Sequence, residues 1–230
     1  MKSSRKLRVT LILFVALIVI AARMVESIDI ILSEDFEGST TVMDSALTGT
    51  TSFITSSKSY SGSKSLYMDN KVSGKFSERY ALGGSYELLY ARYMFLEGNS
   101  ESTCWNSGQH YKDMGFEGGT EDCKGGGYTS NGKDCFTVRT RFNWPYLGVH
   151  VESPPYPGQF DHLNTQIKAN DGKWHCFEMK VQLNNPSSSD GEIRHWVDGN
   201  EALKPNLRFR IVDTLKIDKW WFTYWANDNW

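Results

Sequence analysis

The stretch from Asp171 to Asn200 constrains the fold more than any other part of this chain. Apolar and polar residues alternate over His175–Leu183 and again, after a Pro/Ser/Gly-rich connection, over Ile193–Val197. Alternation with a period of two indicates a β-strand that packs one face on a core and turns the other to solvent or ligand. Two such strands in succession are typical of antiparallel sheets, which build sandwiches and barrels.

Short strand-like runs separated by Gly, Ser, Asn and Pro clusters occupy most of the remaining chain. The further predicted strands are Ile28–Phe36, Ser52–Ser56, Ser65–Met68, Phe76–Tyr80, Glu87–Leu96, Phe136–Phe142, Leu147–Val151 and Leu215–Trp225. A 3.6-residue period is nowhere sustained over three turns, so helix is absent or minor. These patterns predict an all-β domain of two packed antiparallel sheets. The polar, glycine-rich segment Glu97–Asp134 is predicted to be a long ordered loop over one end of the sheet.

The first 27 residues indicate an export signal. Basic residues precede an almost unbroken apolar run, Val9–Ala22, which is short for a membrane span but suits a signal-peptide core. We expect cleavage after Ser27, with cleavage after Ala22 or an uncleaved anchor as alternatives. The prediction is therefore a signal peptide over residues 1–27 and one domain over residues 28–230, secreted and with no membrane contact after cleavage.

The net charge of the exported part limits the partners that we expect for it. Residues 1–27 hold five basic residues and one acidic residue, so the exported part has 20 Lys and Arg against 26 Asp and Glu, a net charge of −6. A domain of this sign is a poor polyanion binder, so nucleic acid is not an expected partner. We expect a monomer. The aromatic final run, KWWFTYWANDNW, favours a missing last strand over a terminus that packs into the sandwich.

Four cysteines in an exported chain predict disulfides. Cys104 and Cys123 both lie in the glycine-rich segment and are the favoured pair, while a Cys135–Cys176 bond is also allowed because both residues fall on the polar faces of strands. A zinc site is disfavoured because no Cys-x-x-Cys pair occurs and the histidines lack a matching spacing.

Several motifs resemble a known family. The segments LSEDFEG, SGSKSL and ELLYARYMF resemble the first strands of concanavalin A-like jelly rolls. More narrowly, the stretch Asp171–Asn200, NLRFR and LKIDKWWFTYW are similar to the second half of polysaccharide lyase family 14, which includes alginate and glucuronan lyases. The resemblance covers nearly all of residues 29–230. It implies a concanavalin A-like jelly-roll β-sandwich of two antiparallel sheets, and a lyase that cleaves a uronate-containing polysaccharide by β-elimination.

The resemblance also implies a set of catalytic positions. In the family a lysine lies before a strand with a Ser/Thr-x-Arg element, and the next strand carries Tyr-x-Tyr. Lys112 takes the approximate place of that lysine, and Thr137 and Arg139 match the Ser/Thr-x-Arg element. His150 and Glu152 stand where the two tyrosines would be, and a histidine can move protons near neutral pH.

The residues themselves support a carboxylate site. Arg139 and Arg141 share one face of a predicted strand with Thr137, where two guanidinium groups could clamp a carboxylate, although pairing with Glu178 on a solvated strand is an alternative. His150 joins them if its strand pairs as a hairpin. The predicted catalytic residues are Lys112, Arg139, Arg141 and His150. The predicted substrate-binding residues, some of them aromatic groups that can stack on sugar rings, are His110, Thr137, Trp144, Tyr146 and Tyr156. His175 and His195 are predicted to be histidines at the edge of the core.

Other functions stay open at this point. A non-catalytic carbohydrate-binding or adhesion module would use the same cleft, and a structural role is a third interpretation because a fold does not settle function. A glycoside hydrolase is disfavoured because the strand motif Glu-x-Asp-x-x-Glu is absent. The expected partner is an acidic polysaccharide. No cofactor is required, although Glu34, Asp35 and Glu37 could bind a structural calcium ion.

Overall fold

The computed structural model describes residues 29–38, 52–68, 76–96, 110–120, 131–143, 146–152, 160–168 and 171–226. The chain divides into two compact units, Met1–Ser33 and Glu34–Trp230. The described residues of the first unit, 29–33, have no regular secondary structure, and the predicted signal peptide lies outside the described residues. Nowhere in the described ranges is there a helix long and apolar enough to cross a membrane.

The described part of the second unit contains twelve β-strands and no helix. The strands are β1 (Ser52–Thr55), β2 (Ser65–Met68), β3 (Phe76–Tyr86), β4 (Leu88–Leu96), β5 (His110–Gly119), β6 (Cys135–Asn143), β7 (Tyr146–Glu152), β8 (Phe160–Lys168), β9 (Trp174–Gln182), β10 (Gly191–Val197), β11 (Asn200–Leu207) and β12 (Ile217–Ala226).

The strands form three antiparallel sheets. Strands β1 and β2 pair with each other, a four-stranded sheet has the order β11-β10-β9-β4, and a six-stranded sheet has the order β3-β12-β5-β6-β7-β8. The two larger sheets pack face to face: the Tyr93 ring on β4 lies 6.4 Å from the Trp220 ring on β12, and the Tyr93 hydroxyl lies 3.0 Å from Thr140 Oγ1 on β6. The chain is therefore an all-β jelly-roll sandwich, and the predicted fold class is confirmed.

The core lies between the inner faces of these two sheets. Its fully buried side chains include Phe136, Val138, Val149, Val151, Phe177, Met179, Val181, Ile193 and Val197. Along β9 and β10 burial alternates residue by residue, as the sequence pattern predicts. Removing this much apolar surface from water is the main stabilising contribution in a domain of this kind.

The two histidines assigned to the core edge lie there. The His195 ring stacks on Phe177 with 5.7 Å between ring centroids. His175 is also buried, and its Nδ1 and Nε2 lie 2.7 Å from Asp198 Oδ2 and 3.0 Å from Asp171 Oδ1. His195 therefore packs inside the core, and His175 contacts the aspartates of the segments before β9 and after β10.

The predicted strand Ile28–Phe36 is wrong for its described part, since residues 29–36 form no strand. Two carboxylates turn the backbone here: Glu34 Oε1 accepts a hydrogen bond from the Phe36 N–H and Asp35 Oδ1 accepts one from the Glu37 N–H. Phe36 also has a φ of 62°, in the left-handed region that an extended strand excludes. Local carboxylate hydrogen bonds thus override an apolar run that resembles a strand.

The prediction of one long loop over Glu97–Asp134 is wrong in its middle, because β5 occupies a central position between β12 and β6. Glycines that favour a loop in the sequence serve close packing here. A side chain at Gly115 would approach the Val138 carbonyl oxygen to 2.0 Å, and one at Gly118 would approach the Lys216 carbonyl oxygen to 2.4 Å. Strands β8 and β11 were likewise not predicted.

Cys135 is disulfide-bonded, and Cys176 is a free, half-buried thiol. The Cys135–Cys176 bond, which the sequence allows as an alternative, is therefore not formed. Cys135 lies in β6 of the six-stranded sheet and Cys176 in β9 of the four-stranded sheet, each on the face turned away from the other sheet. The predicted Cys104–Cys123 pair lies outside the described residues.

Glu37 joins two of the sequence motifs. Its carboxylate accepts hydrogen bonds from the Ser63 N–H (2.7 Å), the Ser63 hydroxyl (2.6 Å) and the Lys64 N–H (2.6 Å). Hydrogen bonds from Ser63, and then from Lys64, hold the pKa of the Glu37 carboxyl below its usual value. Gly62 makes this approach possible, because a Cβ there would lie 2.5 Å from Glu37 Oε1. Among the described residues, no group of three or more His, Cys, Asp or Glu is arranged to hold a metal ion.

Candidate functional site

The outer face of the six-stranded sheet brings distant residues into one row. Directly paired positions across five neighbouring strands are Arg79 on β3, Trp221 on β12, Gly115 on β5, Arg139 on β6 and His150 on β7. Directly paired residues in a sheet point to the same face and lie close enough to interact. The row therefore places two guanidinium groups, an indole and an imidazole side by side.

Trp221 is the centre of this row. The Cζ atoms of Arg79 and Arg139 lie 4.2 Å and 4.3 Å from the centroid of its ring, so both guanidinium groups make cation–π contacts with the indole. Arg139 reaches Trp221 across β5, where Gly115 has no side chain to block the path. Arg139 is only 3% exposed, so its charged group is buried among the side chains on the outer face of the six-stranded sheet.

Glu117 supplies a carboxylate one row away. Its Oε2 accepts a hydrogen bond from Arg79 Nε at 2.5 Å, and the side chain is fully buried. Burial raises the pKa of the Glu117 carboxyl, and the nearby Arg79 guanidinium acts in the opposite direction without cancelling it. Within the described residues, Glu117 Oε1 and Arg79 Nη2 are buried and have no hydrogen-bond partner.

Arg141 and His150 form the second contact of the site. Arg141 Nη1 lies 3.4 Å from His150 Nδ1. A guanidinium group only donates hydrogen bonds, so Nδ1 is the acceptor and the ring proton belongs on Nε2. His150 is 1% exposed, whereas Arg141 is half-buried, so Arg141 presents this pair toward the surface.

A glycine lies beside this pair, and we call the position without a side chain the gap, although the Gly148 backbone itself is buried. Arg141 on β6, Gly148 on β7 and Asn164 on β8 are directly paired, and Gly148 leaves the middle of that row without a side chain. Arg141 and Asn164 are both half-buried at its two sides. His150 borders the gap along β7, and the half-buried Tyr146 follows in the other direction. The described groups around the gap therefore include hydrogen-bond donors, an imidazole and a phenol.

The other predicted site residues divide into three groups. Lys112 lies opposite Arg141 in register, and His110 lies opposite Asn143. Both positions therefore belong to β5, whereas the sequence predicted a loop. Their side chains lie outside the described part. Thr137 is fully buried opposite Glu117. Trp144 and Tyr156 lie outside the described residues.

Glu178 does not take the role suggested for it. It lies on β9 of the other sheet, paired with Arg92, so the alternative in which it neutralises Arg139 and Arg141 is wrong. The predicted grouping of Arg139, Arg141 and His150 does form, through the β6–β7 hairpin.

The sequence patterns did not indicate Arg79, Glu117 or Trp221 as residues of the site. Glu117 follows the apolar Phe116 in a glycine-rich run. This change from an apolar to a polar residue indicates opposite faces of a sheet only when β5 is known to be a strand. Arg79 and Trp221 reach the site through strand pairings between residues far apart in sequence, which no local pattern contains.

No protein-family model and no curated protein sequence matches this chain. Among solved structures, an alginate lyase from a Chlorella virus superposes with a TM-score of 0.50 at 14% identity, over 67% of this chain and 68% of that one. The two share a fold. A marine alginate lyase of family PL-14 from Aplysia kurodai gives 0.49 at 16% identity, over 76% and 72% of the two chains. An endo-β-1,4-glucuronan lyase from the fungus Trichoderma reesei gives 0.45 at 14%, over 78% and 77%.

Proposed function

We propose that this protein is a polysaccharide lyase that cleaves an acidic, uronate-containing polysaccharide by β-elimination. The observation that carries the proposal is the contact between Arg141 and His150 beside the gap at Gly148. The reaction requires two functions of a protein, which are binding of the carboxylate and transfer of a proton. The guanidinium of Arg141 can supply the first, and the imidazole of His150 can supply the second.

The chemistry assigns each group a task. Elimination removes the proton on the carbon beside the uronate carboxylate, forms a carbon–carbon double bond and breaks the bond to the 4-linked sugar oxygen, which takes up a proton. The guanidinium of Arg141 binds the carboxylate and stabilises the negative charge that develops on it. His150, with its ring proton on Nε2, donates the proton that the leaving oxygen takes up, and Lys112, opposite Arg141 in register, accepts the proton from the carbon.

Burial changes the roles that we propose for the two arginines. The sequence favours Arg139 as the carboxylate ligand with Arg141 assisting, but Arg139 is 3% exposed and is packed on Trp221. Arg141 is half-buried and borders the gap. We therefore propose Arg141 as the residue that contacts the carboxylate, and Arg139 as a positioning residue that holds the outer layer through Trp221.

The test follows product formation directly. The purified protein is incubated with alginate and with glucuronan, and the ultraviolet absorbance of the unsaturated uronate is recorded. We expect wild type to produce a rising signal, Arg141→Ala to lower the rate by at least about a hundredfold because charge stabilisation in a buried site is lost, and Arg141→Lys to restore part of it. Arg194→Ala, an arginine on the outer face of the other sheet, is the matched control and should keep the wild-type rate.

A second function competes on a specific observation. The deep burial of His150 and Arg139 also suits a non-catalytic glycan-binding module in which these groups only support the surface. That function predicts retention of the polysaccharide with no absorbance change. A flat signal from protein with a normal melting transition would reject the lyase and favour this module.

A further inference from the structure

The outer face of the four-stranded sheet carries a depression unrelated to the site described above. It measures about 310 Å³ and is lined by Tyr90, Ala91, Arg92, Glu178 and Trp196. Arg92 on β4, Glu178 on β9 and Trp196 on β10 are directly paired in one row, and Tyr90 lies two residues before Arg92. The inner faces of the two large sheets meet in the core, so this depression and the Arg141 site lie on opposite sides of the sandwich.

The aromatic groups of the depression are available for contact. Tyr90 is 65% exposed, and Trp196 is half-buried. Arg92 and Trp196 stand two strand spacings apart, about 10 Å, which leaves room for one six-membered sugar ring above β9. An exposed aromatic face with a polar rim suits the C–H face of a pyranose.

The polar groups of the depression are less committed than their neighbours. On the same face, Glu192 Oε1 pairs with Lys180 Nζ at 2.6 Å and with Arg194 Nε at 3.1 Å. Glu178 Oε1, in contrast, lies 3.8 Å from Arg92 Nε, beyond hydrogen-bond distance, and no described residue donates a hydrogen bond to its carboxylate. Arg92 Nε donates to Cys176 Sγ at 3.3 Å, and the terminal nitrogens of its guanidinium make no hydrogen bond to a described residue.

This donor and acceptor pair determines the class of ligand. Arg92 only donates hydrogen bonds, and ionised Glu178 only accepts them. A vicinal pair of sugar hydroxyls does both and satisfies the two side chains at once, whereas a carboxylate or phosphate would face the Glu178 charge. We propose that the depression is a second carbohydrate-binding site, which holds a pyranose unit of a polysaccharide by its hydroxyl edge with Tyr90 and Trp196 against the ring.

The proposal goes beyond the lyase function and does not require elimination to occur. It is tested in the Arg141→Ala protein, so that turnover plays no part in the readout. Mobility is measured in native gels containing alginate, as the acidic polymer, or hydroxyethylcellulose, as the neutral one. We expect retardation by at least one polymer, and a dissociation constant about tenfold weaker after Trp196→Ala, in line with the loss of an aromatic contact.

Tyr90→Ala is the second variant, because a side chain this exposed can be removed without disturbing the core, and it should also weaken retardation. Leu203→Ala, on the same face but outside the depression, is the control and should not. No retardation in either polymer, or retardation unchanged by both aromatic substitutions, would overturn the proposal. Retardation of the wild-type protein but not of Arg141→Ala would also overturn it, since binding would then belong to the other face.

Cys176 offers an independent readout at the same place. Its sulfur contacts Arg92 beside the depression, so a bound sugar should slow its modification by a maleimide. The modified peptide is identified by mass spectrometry, with Cys176→Ser as the control for assignment. Protection by the polymer that retards the protein, lost in Trp196→Ala, supports the site; an unchanged modification rate at saturating polymer contradicts it.

Discussion

Single carboxylates decide much of the local structure of this protein. Glu37 and Glu117 illustrate two opposite environments. Glu37 lies at the surface and accepts three hydrogen bonds from Ser63 and Lys64, which favour its charged form. Glu117 is fully buried, and loss of hydration favours its neutral form although Arg79 contacts it. The same residue type therefore fixes a turn at one place and tunes the charge of a site at the other.

The Glu37 contact predicts acid sensitivity. Because the pKa of this carboxyl is lower in the folded protein than its usual value of 4.5, the contact stabilises the fold above that pH and is lost as the pH falls through the folded value. We expect the melting temperature of wild type to fall more steeply than that of Glu37→Gln as the pH is lowered through this range. Parallel melting curves against pH for the two proteins would contradict the prediction.

The residues of the candidate site could be predicted from sequence only in part. Arg139, Arg141 and His150 lie on two consecutive strands, so their grouping follows from alternation and one hairpin. Arg79 and Trp221 join them through pairings of β3, β12 and β5 across long sequence separations, with Gly115 in register between Trp221 and Arg139. Such non-local contacts are invisible to a pattern confined to a short window.

At the scale of elements, one-sided strands were predictable and unusual strands were not. β9 and β10 were found because one face of each is buried and the other polar. β5 was missed because its glycines, needed for close packing against β6 and the Lys216 backbone, imitate a loop. Strand β11 was missed because it contains Pro205 and a polar sequence, both rare inside sheets.

The loop between β9 and β10 depends on one buried amide. Asn184 Oδ1 accepts hydrogen bonds from the N–H groups of Phe209 (2.7 Å) and Arg210 (3.0 Å), and Asn184 Nδ2 donates to the carbonyl oxygens of Ser188 and Arg210. Arg210 in turn donates to the Asn184 carbonyl oxygen at 2.8 Å. This network connects the loop to the segment that follows β11.

Asn184→Ala should therefore lower the free energy of unfolding by about 3 kcal/mol, because several buried backbone groups lose their partners together. Asn185→Ala is the matched control, since that neighbouring side chain is exposed and, within the described residues, donates its hydrogen bond to Asp190; we expect less than about 1 kcal/mol there. Urea denaturation of both variants measures the difference, and equal losses would show that the buried amide has no special role.

At the scale of the whole molecule, a polar bridge crosses the apolar core. The Tyr93 hydroxyl on the four-stranded sheet donates to Thr140 Oγ1 on the six-stranded sheet at 3.0 Å, and Thr140 donates to the Met114 carbonyl oxygen at 3.1 Å. The Tyr93 ring also lies 5.1 Å from Phe177. One side chain thus contributes both packing and a hydrogen bond between the sheets.

Tyr93→Phe keeps the ring and removes the hydroxyl, so it isolates the bridge. We expect a loss of about 1 to 2 kcal/mol in the free energy of unfolding, because the Thr140 hydroxyl loses its donor in a buried place. Tyr90→Phe, an equivalent change at an exposed tyrosine of the same strand, should leave stability within about 0.5 kcal/mol. Chemical denaturation of the two variants provides the measurement, and a neutral Tyr93→Phe would mean that the sheets are held by packing alone.

The irregular end of β11 also limits how this protein can meet copies of itself. β11 lies at the edge of the four-stranded sheet, and its pairing with β10 shifts register over the segment that contains Pro205 and Asn206. Proline has no N–H to offer, and the positive φ of Asn206, 63°, bends the backbone away from a straight ladder. A foreign strand laid along this edge would find the hydrogen-bond row interrupted, so the defect in the ladder acts as protection against sheet extension and fibrous aggregation.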